Sequence, residues 1–192
     1  MFLQVEYINI LAERNQISQY HVWDFDRDQL DYKWLKEIIK KNDRFIFFSV
    51  NNKHSWKEYY QYYAHRQKQF QDSIMIKLDD DIVYLDINKF SNFIKFRREH
   101  SNFFIVSANV INNGVCAYFQ QKHGCIPKEL MELEYPSNGF CGSLWENGEK
   151  AYQLHQYFIN HSDCFSWQGY TAFSDRLSIN FISWLGKRKQ IY

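Results

Sequence analysis

Proline and glycine are scarce in this chain, with 2 and 7 among its 192 residues, and no stretch is low in complexity. Nothing therefore reads as a low-complexity tail. No run of 18 apolar residues occurs, so no membrane-spanning helix is expected. The opening MFLQVEYINI carries Glu6 and no basic cluster, and reads as a strand, not an export signal. No repeat of solenoid period is present. Cys116, Cys125, Cys141 and Cys164 include no CxxC pair. That spacing suggests neither a zinc site nor a thioredoxin-like motif, and four reduced thiols in a cytoplasmic protein are the expectation. Net charge is only +1, which gives no global attraction to nucleic acid. The basic clusters Lys95-Phe96-Arg97-Arg98 and Lys187-Arg188-Lys189 read as local solvated faces.

What is present is a globular composition, 45% hydrophobic and 19% aromatic. The length suits a single domain over 1–192 with a core of its own. Leu30, Trp34 and Ile38 recur at helical spacing. RFIFFSV (44–50) is an apolar run of the kind buried parallel strands use. Ser55 and Glu58 form a capping box opening a helix through WKEYYQYYAHRQKQF. Residues 73–78 and 103–108 read as buried strands. Asp86 caps the helix between them, with Phe90, Phe93 and Ile94 as its apolar stripe. Residues 148–160 read as helix, and 175–186 fit helix or strand equally. Alternating strands and helices give an α/β domain with a mostly parallel central sheet flanked by helices. The segment 109–147 holds both prolines and four of the seven glycines, and reads as an irregular, site-bearing insertion with short antiparallel strands.

Asp79, Asp80 and Asp81 follow the strand IMIKL directly. In α/β sheets ligands collect at the carboxyl ends of strands. Were the chain to stay extended, Asp79 and Asp81 would share a face and repel. A divalent cation removes that cost, and Mg²⁺ or Mn²⁺ takes such carboxylates together with phosphate oxygens. The alternative is a solvated acidic turn. A second acidic run, Asp24, Asp26 and Asp28, starts like an EF-hand loop, but Gln29 and Leu35 stand where that loop needs Gly and Glu. Helix capping by Asp26 or Asp28 is the better reading, with Arg27 left for a phosphate or an ion pair.

KLDDDIVYLD (77–86) resembles the Asp-x-Asp segment of GT-A glycosyltransferases. With HVWDFDRDQLDYKWL, SWKEYYQYYA, VSANVINNGVCAYFQQ and RLSINFISWLG, the chain resembles the small glycosyltransferase domain encoded by chlorella viruses and its bacterial relatives. The resemblance implies a GT-A fold, a UDP-sugar donor, a glycan acceptor, and Mn²⁺ or Mg²⁺. It makes Asp81 the closest metal ligand and puts Asp79 nearer the ribose or a bound water, with Asp80 between them. It offers His155, with His161 as a second choice, for the late metal ligand. Arg66 and Lys77 would face the diphosphate; an exposed helix cation and a snorkelling strand lysine are their bland counterparts. An inverting transfer needs a carboxylate base, for which Glu132, Glu134, Asp163 and Asp175 are available, with Asp175 and Glu134 placed first. Trp145 and Trp167 could stack on a sugar or pack in the core. Asn112, Asn113 and Asn180 could meet sugar hydroxyls. A hexose or deoxyhexose is the implied cargo and the cytoplasm the implied location, the host's if the source is viral. A Mg²⁺-dependent phosphohydrolase and a non-catalytic carbohydrate-binding domain are the rival readings. No oligomeric state follows.

Overall fold

The computed structural model describes residues 2–25, 28–40, 42–50, 57–136, 142–165, 170 and 179–186. The fold is mixed α/β, with a small parallel two-stranded sheet, a three-stranded sheet and helices. The chain divides into two compact units: one takes 1–75, 80–104 and 184–192, the other 76–79 and 105–183. No helix among the described residues is long and apolar enough to cross a membrane.

The first unit begins with helix α1 (Phe2–Glu13), where a strand was expected. Val5, Ile8, Leu11 and Ala12 are its buried apolar positions, with Gln4 buried beside them, and their spacing of three and four is helical. Read in twos, Leu3, Val5 and Tyr7 alternate with Gln4 and Glu6 and imitate a strand. The helix ends at Asn15, which takes a left-handed φ of 53°. The Asn15 N–H donates to the Ala12 carbonyl and the Gln16 N–H to that of Leu11, a Schellman closure. Arg44 tightens it by donating from Nη1 to the Ala12 carbonyl at 2.6 Å and the Ile17 carbonyl at 2.8 Å.

Strands β1 (Tyr20–Asp24) and β2 (Phe45–Ser49) pair in parallel, with Val22 opposite Phe47 and Trp23 opposite Phe48. Helix α2 (Gln29–Ile39) covers one face, through Tyr32 against Phe47 at 5.5 Å. Asp28 caps it, accepting from the Leu30 N–H. Among its described side chains Leu35 is the buried one; Leu30 is 75% exposed, so the Leu30–Trp34–Ile38 stripe is not the inward face. Helix α3 (Lys57–His65) covers the other face, with Tyr62 against Phe48 and Trp23 at 4.9 and 5.3 Å. Ser55 of the expected capping box lies outside the described residues, as do Asp26 and Arg27. The expected long helix breaks at Arg66 (φ −111°, ψ 27°), and α4 (Gln67–Phe70) follows.

Strand β3 (Ile74–Leu78) is half-buried along its length, not fully buried. Helix α5 (Phe90–Glu99) buries Phe90 and Arg97. Asp86 accepts from the Asn88 N–H and so organises the turn before α5; the N-cap position belongs to Lys89. Of 103–108 only β4 (Val106–Ser107) is strand. Residues 181–185 resolve as strand β5 (Phe181–Leu185). The sheet order is β3-β5-β4. β4 and β5 are antiparallel, Val106 opposite Ser183. β3 and β5 also run antiparallel, because the Asp79 N–H donates to the Asn180 carbonyl while the Gly186 N–H donates to that of Ser73. Parallel pairing is therefore confined to β1–β2 among the described strands.

The second unit is built on α6 (Gly114–Lys122), α7 (Ser143–Glu146), α8 (Gly148–Asn160) and a 3₁₀ turn (Ser162–Phe165). The expected insertion holds helices rather than strands among its described residues. Its core is Ala117, Cys125, Ile126, Met131, Leu133, Leu144, Leu154 and Phe165. Buried amides hold the irregular chain in place. Gln121 donates to the Met131 carbonyl at 2.8 Å and accepts from the Leu133 N–H at 3.1 Å. Asn113 caps α6 through the Cys116 N–H.

Candidate functional site

The acidic run begins where β3 ends. Asp79 follows Leu78, and the chain turns at Asp80 and Asp81 instead of staying extended. The alternation that would put Asp79 and Asp81 on one strand face therefore does not apply. Lys77 and Asp79, two apart, do share a side, and the Lys77 ammonium forms an ion pair with the Asp79 carboxylate. Lys77 also donates to the Ile179 carbonyl at 2.8 Å, while the Asp79 N–H donates to the Asn180 carbonyl at 2.9 Å. The four residues lock the end of β3 to the chain entering β5. Lys77 thus meets a carboxylate of the motif itself.

Asp80 and Asp81 are exposed. The charge of Asp80 is felt by Tyr20, whose phenol is pushed up to about 12, first by burial and then by that carboxylate. Hard oxygen donors in a turn suit Mg²⁺ or Mn²⁺, which need only one or two carboxylates when phosphate and water complete the shell. Among the described residues no three His, Cys, Asp or Glu side chains come together, so His155, half-buried on α8, joins no such group.

Arg66 stands exposed at the α3–α4 break. Its guanidinium lies over the Tyr62 ring, 3.9 Å from the centroid, and Nη1 donates to the Tyr62 carbonyl at 3.4 Å. A planar cation on an aromatic face is held in one orientation with its edge still available.

Glu134 is engaged elsewhere. Its Oε1 accepts from the Ser143 N–H at 2.5 Å and Oε2 from the Ser143 hydroxyl at 2.8 Å, at the start of α7. Lys150 stands 3.7 Å away and also donates to Ser143 Oγ and to the Glu132 carbonyl. The Ser143 N–H is the first cause of a carboxyl held down at about 2, with Lys150 adding to it. A carboxylate so well satisfied is a weak base at neutral pH. Gly142, at φ 152°, leaves room for it; a Cβ there would come within 2.9 Å of Glu134 Oε1. Asp175, the other candidate base, lies outside the described residues, as does Trp167. Trp145 is 76% exposed, which removes the core-packing reading for it.

A constellation that sequence reading missed lies on the α3 side of β1. His21 Nδ1 is 2.5 Å from the Tyr63 hydroxyl, and Trp23 Nε1 donates to that hydroxyl at 3.4 Å. An indole nitrogen only donates, so the Tyr63 O–H is free to donate onward to Nδ1. His21 is then the Nε2–H tautomer, facing the Gln19 side-chain oxygen at 3.3 Å. Burial lowers the His21 pKa, and Tyr63 is pushed up to about 12, chiefly by burial. Sequence holds no signal for this, since 42 residues separate His21 from Tyr63.

Compared with family models, with curated proteins and with solved structures, the chain matches none.

Proposed function

We propose that the chain is a metal-dependent glycosyltransferase of the GT-A type, moving a hexose or deoxyhexose from a UDP-sugar to a glycan acceptor. The observation that carries this reading is the acidic turn: two exposed carboxylates, Asp80 and Asp81, directly after a strand whose last charged pair, Lys77–Asp79, is already satisfied. A merely solvated turn does not need the third carboxylate to be held by a partly buried lysine.

In this reading Asp81 is the principal carboxylate for Mn²⁺ or Mg²⁺. The cation supplies charge neutralisation for the diphosphate leaving group. Lys77 keeps Asp79 from adding a further uncompensated charge, and Arg66, braced on Tyr62, takes phosphate oxygens. Glu134 serves the α7 cap, so the base is assigned to Asp175. Trp145 offers an exposed ring to a sugar face.

The test is thermal unfolding with UDP, GDP and CMP, each with Mn²⁺ or with EDTA. A ligand that binds the native state raises apparent stability as RT ln(1 + [L]/Kd). UDP is expected to stabilise with Mn²⁺ and not with EDTA. Equal stabilisation in both would remove the metal bridge. Phosphate release from simple esters, abolished by EDTA, would point to the phosphohydrolase instead.

A further inference from the structure

In the basic cluster at 95–98, Lys95 and Arg98 are exposed as expected, but Arg97 is 1% exposed. Its Nη2 donates to the Phe103 carbonyl at 2.7 Å. Among the described residues its enclosed Nε and Nη1 have no hydrogen-bond partner, and no carboxylate pairs with it. The turn that supplies this carbonyl is clamped by rings: His100 stacks on Phe96 at 4.0 Å and on Phe103 at 5.6 Å. On that turn Asn102 is exposed and Phe104 is 71% exposed.

An arginine keeps its charge at any physiological pH. Burial lowers the Arg97 pKa, yet proton loss is not an outlet for a guanidinium. An enclosed, unpaired charge is among the most costly features a fold can carry. The carbonyl end of α5 offsets part of that cost, since cations are favoured there. It supplies no acceptor for Nε or Nη1. These two N–H groups call for an anion with several acceptor oxygens; Lys95 is engaged with Glu99 at 3.9 Å, and the exposed Arg98 on the same last turn adds positive charge that favours a multiply charged one.

We infer that Arg97 anchors an oxyanion site at the end of α5, reached through the 101–104 turn, and that its ligand is a phosphate group. This does not rest on the glycosyltransferase reading, because it needs neither the metal nor the acidic turn.

The test uses inorganic phosphate as the probe, on the full chain in EDTA, with ionic strength held constant by chloride. Unfolding is followed for the unaltered protein and for Arg97→Met, which keeps the buried length without the charge. In the unaltered protein Tm should rise and saturate, by about 3–6 °C at ten times the titration midpoint. Arg97→Met should not respond, and in phosphate-free buffer it should melt no lower than the unaltered protein. Equal responses in the two proteins, or none in either, would overturn the site. An equal rise with acetate would overturn its phosphate assignment. Should Arg97→Met fail to fold, the ³¹P linewidth of phosphate on the unaltered protein decides. Broadening that sulfate competes away upholds the site, and an unbroadened line overturns it.

Discussion

Lys77 and Asp79 form an ion pair across two positions of one strand end, their side chains 14% and 28% exposed. The pair ties the end of β3 to the chain entering β5, since Lys77 also holds the Ile179 carbonyl at 2.8 Å. The aspartates are consequently not interchangeable. Asp79 is a partner, whereas Asp80 and Asp81 are exposed in the turn.

Asp79→Asn and Asp81→Asn should therefore behave differently without ligand. Asp79→Asn leaves a partly buried ammonium without its carboxylate and should cost about 1–3 kcal/mol. Asp81→Asn should stay within about 0.5 kcal/mol of the unaltered protein, as exposed substitutions do. With Mn²⁺ and UDP the order reverses in importance: Asp81→Asn should abolish metal-dependent stabilisation. Urea unfolding gives the first comparison and thermal shift the second. Normal Mn²⁺–UDP binding by Asp81→Asn would return the run to a solvated turn.

Glu134 should set part of the acid stability. Its folded pKa, about 2, is depressed from 4.5. The stabilisation is thus complete above about 4.5 and lost as pH falls through about 2. Glu134→Gln should lower stability at pH 7 by about 0.5–2 kcal/mol, the range for a lost helix cap. It should also flatten the acid limb of the Tm profile. An unchanged limb would mean that Ser143 and Lys150 do not hold the carboxylate in solution.

What could be read from the residues divides by range. Helix 148–160 was legible because its period and length are local. The α2 cap at Asp28 was legible for the same reason. The N-terminal helix was misread because Leu3, Val5 and Tyr7 alternate with Gln4 and Glu6 as in a strand, while Val5, Ile8 and Leu11 keep a helical period, and only packing chose between them. The short β4 fell inside an apolar run that looks like a longer strand. At the site, carboxylates after a strand are visible in sequence. That Lys77 pairs with one of them, that Glu134 is occupied by Ser143, and that Arg97 points inward all depend on tertiary contacts.

The Trp23–Tyr63–His21 chain predicts a pH effect at the other end of the scale. His21 is held neutral, its pKa lowered from 6.5 by burial. The groups around it are Gln19, Phe48, Tyr62, Tyr63 and Phe70, none of which carries a charge at neutral pH. Below 6.5 the unfolded chain binds a proton that the fold resists, so stability is full above 6.5 and declines as pH falls toward the folded pKa. Tyr63→Phe leaves the Trp23 N–H and His21 Nδ1 without their shared partner and should cost about 1–3 kcal/mol. It should also raise the His21 pKa, because the neutral ring loses the hydroxyl that donates to it. NMR titration of the His21 ring reads the shift directly, and an unmoved pKa would reject the deduced tautomer.

Gly186→Ala supplies a prediction about backbone contact alone. The Gly186 N–H donates to the Ser73 carbonyl at 3.0 Å, and the Ser73 N–H donates to the Phe70 carbonyl at 2.9 Å. A Cβ on Gly186 would overlap that same Phe70 carbonyl oxygen. Neither side can yield cheaply. Moving Phe70 breaks its bond from Ser73 and disturbs a buried ring, and moving Gly186 breaks its bond to Ser73. A lone glycine closing a strand in this way marks a close backbone approach. The alanine should cost about 2–4 kcal/mol, at the upper end of overpacking effects. Gly148→Ala is the matched control. A Cβ there meets nothing within 4 Å, and the position lies in the first turn of α8. It should be neutral or stabilise by up to about 1 kcal/mol. Both are measured by urea unfolding with a common m-value. Equal stabilities for the two variants would mean that β5 does not reach Phe70 as closely as the structure has it.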